Sequence, residues 1–347
     1  MRWPDKLTRL TPYAAAPAPD GAVRLDANES FLPPPDWLWE KITAAVRSVA
    51  LHRYPDPAAA ELCALFAARA GVPASGVVAG NGSDELISLL MAALVPHGGR
   101  VLVSEPDFSM YRVYAQLCEH NCVATPKAGG RPDMDALLAA HRARPADLII
   151  FSNPCNPTGL GAPAAEVLAL ADAVDCPVAV DEAYMDFWDQ SVLAHTRKRD
   201  NLIVLRTCSK ALGLAGARLG FAVGGDPFAA ALRAVKSPFN VSALAQAVGA
   251  AVLAETDYLD ACVRRIRRST AALCRALADF AARTEGLEAH ETETNFVLLT
   301  GPRVPALYEA LCARNIFVRR LPPETLRVTA GAEAEHEALF AALAHCL

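Results

Sequence analysis

Val178-Ala179-Val180-Asp181-Glu182-Ala183-Tyr184 and Leu202-Ile203-Val204-Leu205-Arg206-Thr207-Cys208-Ser209-Lys210 are the two stretches that decide the fold class. In each, a short apolar run with little polar alternation leads into charged side chains. Runs of that kind are strands buried on both faces, as in a parallel sheet covered by crossover helices. Moving outward, the same texture recurs at 76–79, 100–104, 147–152 and 218–223, with helical stretches between them. The fold class expected is therefore α/β, a large domain with a mostly parallel sheet between helices.

After about residue 240 the texture changes to a long helical region over 243–283, broken near Glu255-Thr256-Asp257. A compact α+β tail follows, with strands expected at 295–299, 316–319 and 326–329 and a helix at 305–314. The chain opens on a Pro- and Ala-rich segment carrying Pro12, Pro17, Pro19 and Pro33-Pro34-Pro35, an extended arm ahead of a helix near 37–49. The organisation expected is an arm over 1–30, a large domain over 31–255 and a smaller α+β domain over 256–347 that the arm completes.

Composition bounds the function. With 347 residues, 53% of them hydrophobic, the chain can bury a large core. Its 33 Lys and Arg against 38 Asp and Glu leave a net charge of -5, so no basic field recruits nucleic acid, and small molecules are the expected partners. Arg264-Arg265-Ile266-Arg267-Arg268 reads as a solvated helix face. The 10 cysteines are dispersed and follow no disulfide framework, which fits a reducing cytoplasm. Met1-Arg2-Trp3-Pro4-Asp5-Lys6 begins no apolar leader, and the near-apolar run 243–254 is too short for a bilayer, so neither a signal peptide nor a membrane span is expected. Cys118-Glu119-His120-Asn121-Cys122 has no second cluster to complete a metal site, and Gly80-Asn81-Gly82 lacks the third glycine of a dinucleotide fingerprint.

Four segments carry chemistry. Gly80-Asn81-Gly82-Ser83-Asp84-Glu85 follows an expected strand and opens a helix, an arrangement whose N–H groups and positive end suit an anion. Asn153-Pro154-Cys155-Asn156-Pro157-Thr158-Gly159 makes a stiff loop where open α/β sheets place ligands, with Asn156 free to project into the crevice. Asp181 ends a buried strand, and a carboxylate there needs a cationic or hydrogen-bonding partner such as a protonated ring nitrogen. Of the chain's six lysines only Lys210 follows an expected strand, and it sits between Ser209 and Arg218, which suit a phosphate. Lysine for an aldehyde, aspartate for a pyridine nitrogen, Asn156 and Tyr184 for a ring hydroxyl, and a helix start with Ser209 and Arg218 for a phosphate together describe a pyridoxal 5'-phosphate (PLP) site.

On these segments, joined by Leu25-Asp26-Ala27-Asn28-Glu29, Arg53-Tyr54-Pro55-Asp56-Pro57, Glu105-Pro106-Asp107-Phe108-Ser109-Met110-Tyr111, Phe239-Asn240-Val241-Ser242, Thr294-Asn295-Phe296 and Leu326-Arg327-Val328-Thr329, the sequence resembles fold-type I PLP-dependent aminotransferases. Within them it is similar to the histidinol-phosphate branch. Aromatic or broad-specificity aminotransferases and threonine-phosphate decarboxylases carry similar motifs. A PLP-sensing regulator would need a DNA-binding domain, for which the short arm is not expected to have room.

The resemblance implies a homodimer with shared active sites and amino transfer between histidinol phosphate plus 2-oxoglutarate and imidazole acetol phosphate plus glutamate. It assigns Lys210 to the cofactor aldehyde and Asp181 to the ring nitrogen. Asn156 and Tyr184 fall to the ring hydroxyl, Phe108 to stacking on the ring, and Ser83, Asp84, Ser209 and Arg218 to the cofactor phosphate. It sends Tyr54 to the other subunit's cofactor phosphate, gives Arg327 the substrate anion, and has Arg319 supplied across the interface. Tyr13 and Glu29 would close over the substrate. Cys155 stands where the family has asparagine, and the segment between Arg319 and Arg327 is short.

Overall fold

A computed structural model describes residues 4–8, 19, 21–321 and 323–345. Among them run twelve strands: β1 (Val23–Leu25), β2 (Val77–Asn81), β3 (Arg100–Glu105), β4 (Asn121–Pro126), β5 (Leu148–Ser152), β6 (Val178–Asp181), β7 (Leu202–Thr207), β8 (Leu219–Val223), β9 (Glu288–Ala289), β10 (Phe296–Thr300), β11 (Ile316–Leu321) and β12 (Thr325–Thr329). Seven form one sheet in the order β2-β8-β7-β6-β5-β3-β4, and five form a second in the order β1-β11-β12-β10-β9.

The large sheet is parallel except for β8, which runs antiparallel to both β2 and β7. Its strands are buried on both faces because alternate residues feed two separate cores. Ile149, Phe151, Val178, Val180 and Val204 join the core on one face, and Leu148, Ile150, Ala179, Ile203 and Leu205 join the core on the other. Each such side chain removed from water contributes about 1.5–3 kcal/mol, so little freedom remains in register. One geometric result matters for function. β3, β5, β6 and β7 all end on the same edge of the sheet, at Glu105, Ser152, Asp181 and Thr207.

The second sheet joins both ends of the chain, because β1 pairs in parallel with β11. Period-2 alternation divides β12: Leu326 and Val328 enter the third core, while Arg327 and Thr329 face away from it. The antiparallel register sets Arg319 of β11 directly opposite Arg327. The short segment between the two arginines is thus a tight hairpin. A 27-residue helix, Thr256–Ala282, packs against both halves: Leu259 and Ile266 lie in a core of the large sheet, and Leu273, Leu277 and Phe280 in the core of the small one.

The sequence reading did not anticipate β4, and the reason is its place at the sheet edge. Its burial is irregular, with Asn121, Ala124 and Pro126 exposed, so it lacks the apolar run that marks its neighbours. Among the described residues no helix is long and apolar enough to cross a membrane.

Candidate active site

A cavity of about 470 Å³ opens at the shared carboxyl edge of the large sheet, where ligands of open α/β sheets sit. Its floor is Asp181, 4% exposed at the end of β6. One carboxylate oxygen accepts from the Tyr111 hydroxyl at 2.8 Å, the other from the Ala183 N–H at 3.1 Å. Burial pushes its pKa up to about 7, against the Tyr111 hydrogen bond that pulls it down, and the nearby Asp107 adds to the rise. Among the described residues it forms no ion pair. Its anionic form is therefore short of one positive charge.

Lys210 follows β7 and lines the same cavity. Its Nζ donates to the Ala27 carbonyl at 3.0 Å. Burial, reinforced by the Arg327 charge, lowers its pKa from 10.5 to about 8, so a neutral amine is available near physiological pH. Tyr184, 4% exposed, accepts from the Asn28 side-chain amide at 2.8 Å, and burial raises its pKa.

Opposite the floor, β2 passes directly into the helix Gly82–Leu94, whose first turn carries Ser83 and Asp84. Gly82 has φ +80°, a conformation that glycine adopts at least cost. A Cβ at Gly82 would displace the Arg218 guanidinium, 2.6 Å away, and one at Gly220 would lie 2.4 Å from the Ser83 backbone nitrogen, so Gly220 admits only hydrogen. Arg218 donates to Asp84 at 3.0 Å and to Ser209 Oγ at 3.4 Å. The result is a helix start at the cavity wall flanked by a guanidinium and two hydroxyls, an arrangement that suits an anion.

The third wall comes from the small sheet. Arg327 donates to Asn156 Oδ1 at 2.5 Å and to the Asp26 carbonyl at 2.8 Å, with its guanidinium 5.3 Å from the Phe296 ring centroid. Arg319 and Glu29 line the cavity beside it. Two arginines set opposite each other on adjacent strands concentrate positive charge on this wall, which suits an anionic ligand.

The structure thus brings Ser83, Asp84, Phe108, Asn156, Asp181, Tyr184, Ser209, Lys210, Arg218, Glu29, Arg319 and Arg327 to one cavity. Arg319, expected across an interface, lines the cavity of its own chain, because the hairpin register places it beside Arg327. The Asp84 carboxylate is engaged by Arg218, so it orients that arginine and leaves its helix turn to meet an anion. Tyr54 does not line this cavity: it is 80% exposed and stacks on Phe239 at 4.3 Å. Tyr13 lies outside the described residues. Cys155 is fully buried, with its thiol 3.5 Å from the Pro106 carbonyl, so it packs the loop and meets no solvent.

Sequence reasoning assigned no role to Tyr111, the donor to Asp181, or to Asn28, the donor to Tyr184. Tyr111 had a signal, since it stands three residues after Phe108 at a helix start and so shares its side of the turn. Another cluster imitates a nucleophile: Cys176 lies 3.6 Å from His141 Nδ1, and His141 Nε2 lies 3.1 Å from Asp175. The Ala146 N–H already donates to that Nδ1, and burial pushes the thiol up to about 11, so the cluster is inert packing.

A buried carboxylate short of one positive charge, a lysine amine of lowered proton affinity and an anion-binding helix start, all around one cavity, define an enzyme site shaped for a ring that carries a protonatable nitrogen, an aldehyde and a phosphate ester. That donor set fits PLP. The chain belongs to the aminotransferase class I and II family, whose model matches residues 21–345. It is similar to the histidinol-phosphate aminotransferase of Clostridium kluyveri, at 33% identity over 97% of this chain and 96% of that one. It is also similar to the histidinol-phosphate aminotransferase of Chromobacterium violaceum, at 38% identity over 94% of this chain and 92% of the relative. The crystal structure of histidinol-phosphate aminotransferase from Sinorhizobium meliloti in complex with pyridoxal-5'-phosphate matches with a TM-score of 0.87 at 27% identity, covering 99% of this chain and 97% of that chain.

Proposed function

We propose that the protein is a PLP-dependent aminotransferase of histidine biosynthesis, interconverting histidinol phosphate plus 2-oxoglutarate and imidazole acetol phosphate plus glutamate. The observation that carries this reading is Asp181, a buried carboxylate with no ion-pair partner among the described residues, in the same cavity as Lys210 and the Arg319–Arg327 pair. When bound, the cofactor supplies an aldehyde for the substrate amine and an electron-withdrawing ring. Asp181 holds a proton at the ring nitrogen, and Tyr111 keeps its carboxylate oriented for that bond. Asn156 and Tyr184 address the ring hydroxyl, and Phe108 covers one face of the ring. Ser83, Ser209, Arg218 and the helix N–H groups take the phosphate. Lys210 takes and returns the proton at the substrate Cα, a role its lowered pKa suits near neutrality.

Arg319 and Arg327 bind the substrate's anionic end, and planar forked donors accept either a phosphate ester or a carboxylate. Glu29 and Tyr13 complete the substrate end. Tyr54 serves the neighbouring subunit of a homodimer: it is exposed, absent from its own chain's cavity and held flat against Phe239. The organisation we infer is an arm over 1–30, a large domain over 31–255 and a small domain over 256–347, supported by the two sheets and by the pairing of β1 with β11. The free cysteines among the described residues suit the cytoplasm.

An amino-donor screen with 2-oxoglutarate tests the reading. Histidinol phosphate should exceed phenylalanine and tyrosine in kcat/KM, and histidinol without its phosphate should lose on the order of a hundredfold or more, since it forgoes the charge-assisted bonds that the arginines offer a phosphate. Equal efficiency with and without the phosphate points instead to a broad-specificity enzyme, and CO2 release from threonine phosphate to a decarboxylase.

A further inference from the structure

An ion pair that none of the roles above uses begins in the cavity wall, at Asp107. Asp107 and Lys127 are each 2% exposed at the side chain, with Lys127 Nζ 3.3 Å from Asp107 Oδ2. Burying two charges this deeply costs desolvation that hydrophobic residues would not incur, so stability alone is a weak reason for the pair.

Its connections give a better one. Asp107 lies two residues beyond β3, Lys127 directly follows β4, and Ser152 is the last residue of β5, three strands adjacent in the sheet. The Asp107 carboxylate gathers donors from all three strand ends. One oxygen accepts from the Phe108 N–H at 2.7 Å and from the Ser152 hydroxyl. The other accepts from the Ser152 N–H at 3.1 Å and from Lys127. The Ser152 hydroxyl in turn accepts from the Asn156 N–H at 3.2 Å. The carboxylate is thus one bond from the backbone of Phe108 and two from that of Asn156. Burial raises the Asp107 pKa, while Lys127 and these hydrogen bonds pull it back toward the charged form.

We propose that the Asp107–Lys127 pair is a positioning device for the active site: it fastens three strand ends together so that Phe108 and Asn156 meet the cofactor ring at fixed spacing and angle. Asp107 lines the cavity, but both its oxygens are taken up by this network. The inference rests on the cofactor reading above, since it is the ring that Phe108 and Asn156 position.

The test uses cofactor-loaded protein and three variants: Lys127→Met, Lys127→Arg and the double variant Asp107→Asn with Lys127→Met. The double variant removes both charges, leaving no lone buried carboxylate, and so separates folding from positioning. The readouts are melting temperature, PLP affinity, and the visible circular dichroism per bound cofactor, which reports ring orientation. The expected result is a near-native melting temperature for the double variant, with PLP affinity weakened by roughly tenfold to a hundredfold and a diminished dichroism signal. In amino transfer, kcat should fall while KM for the amino donor holds. Lys127→Arg should recover most of the dichroism signal that Lys127→Met loses.

Native affinity and dichroism in the double variant would overturn the proposal. Loss of folded protein in both the double variant and Lys127→Met would also overturn it, because the pair would then hold the fold and not the site. The underlying cofactor reading fails differently, by wild-type protein that shows no cofactor dichroism at all.

Discussion

Replacing Asp181 by asparagine should change how the stability of the cofactor-free protein depends on pH. In the folded chain the Asp181 carboxyl titrates at about 7, because burial opposes its charge. Unfolded, it titrates near the ordinary value of about 3.9. The sign is opposite to that of a salt-bridged aspartate. The folded state binds the proton more tightly, so this group stabilises at low pH, and the contribution is lost as pH rises from about 4 through about 7. At about 1.4 kcal/mol per pH unit the whole window is worth on the order of 4 kcal/mol, and about 3 kcal/mol of it falls between pH 5 and pH 8.

Asparagine fills the same space without titrating. The stability of the variant minus that of wild type should therefore rise by about 3 kcal/mol from pH 5 to pH 8, while other titrating groups cancel in the difference. Urea unfolding at matched protein concentration, on protein stripped of cofactor, measures it. A difference that stays flat across that range would refute the claim that the cavity floor holds a carboxylate short of positive charge. The assignment of a cationic ring nitrogen to that spot would lose its physical basis.

Capture of PLP by the cofactor-free protein should quicken with pH through a midpoint near 8, where the Lys210 amine becomes neutral; a rate still climbing toward 10.5 would show the lysine to be unperturbed, and Lys210→Ala should abolish borohydride-fixed cofactor. Gly220→Ala would drive a Cβ to 2.4 Å from the Ser83 nitrogen, so it should cost about 1–3 kcal/mol in denaturant titrations and weaken cofactor binding, whereas unchanged affinity would mean that the helix start does not hold the phosphate. Tyr54→Ala and Lys210→Ala chains, each nearly inactive alone, should regain activity as a purified heterodimer, because one site then carries both lesions and the other neither; no recovery from a cofactor-loaded heterodimer would place Tyr54 at its own site or nowhere.

The central strands were legible because burial on both faces leaves little choice of residue: 148–152, 178–181 and 202–207 are nearly unbroken Val, Ile, Leu and Ala. Asp181 and Lys210 stood out for the same reason, as charges at the ends of apolar runs. The edge strand β4 escaped notice, since its exposed positions tolerate Asn121, Ala124 and Pro126 alike. Most residues that line the cavity were legible from the motifs and the family resemblance, but the residues that orient them were not. Asn28 reaches Tyr184 from far away in sequence, and Lys127 reaches Asp107 across a strand order that no local pattern encodes. That Arg319 and Arg327 face one cavity follows from strand alternation, but the direct opposition of the two depends on hairpin register, which the short segment between them sets.

The pairing of β1 with β11 has a consequence for how the chain is made. A ribosome releases β1 long before its partner β11, because the two are far apart in the chain. Until then Val23 and Leu25 have no sheet to join, and neither the Ala27 carbonyl that accepts from Lys210 nor the Asn28 amide that donates to Tyr184 is held in place. The α/β core can condense earlier, from strands that lie nearer one another in the chain. A nascent polypeptide would thus hold a nearly complete cavity floor and no finished wall, and would become competent only when β11 emerges and draws β1 back. Closing so long a loop carries an entropic cost that grows slowly with length, so the delay reflects the timing of synthesis more than any energetic weakness of the strand.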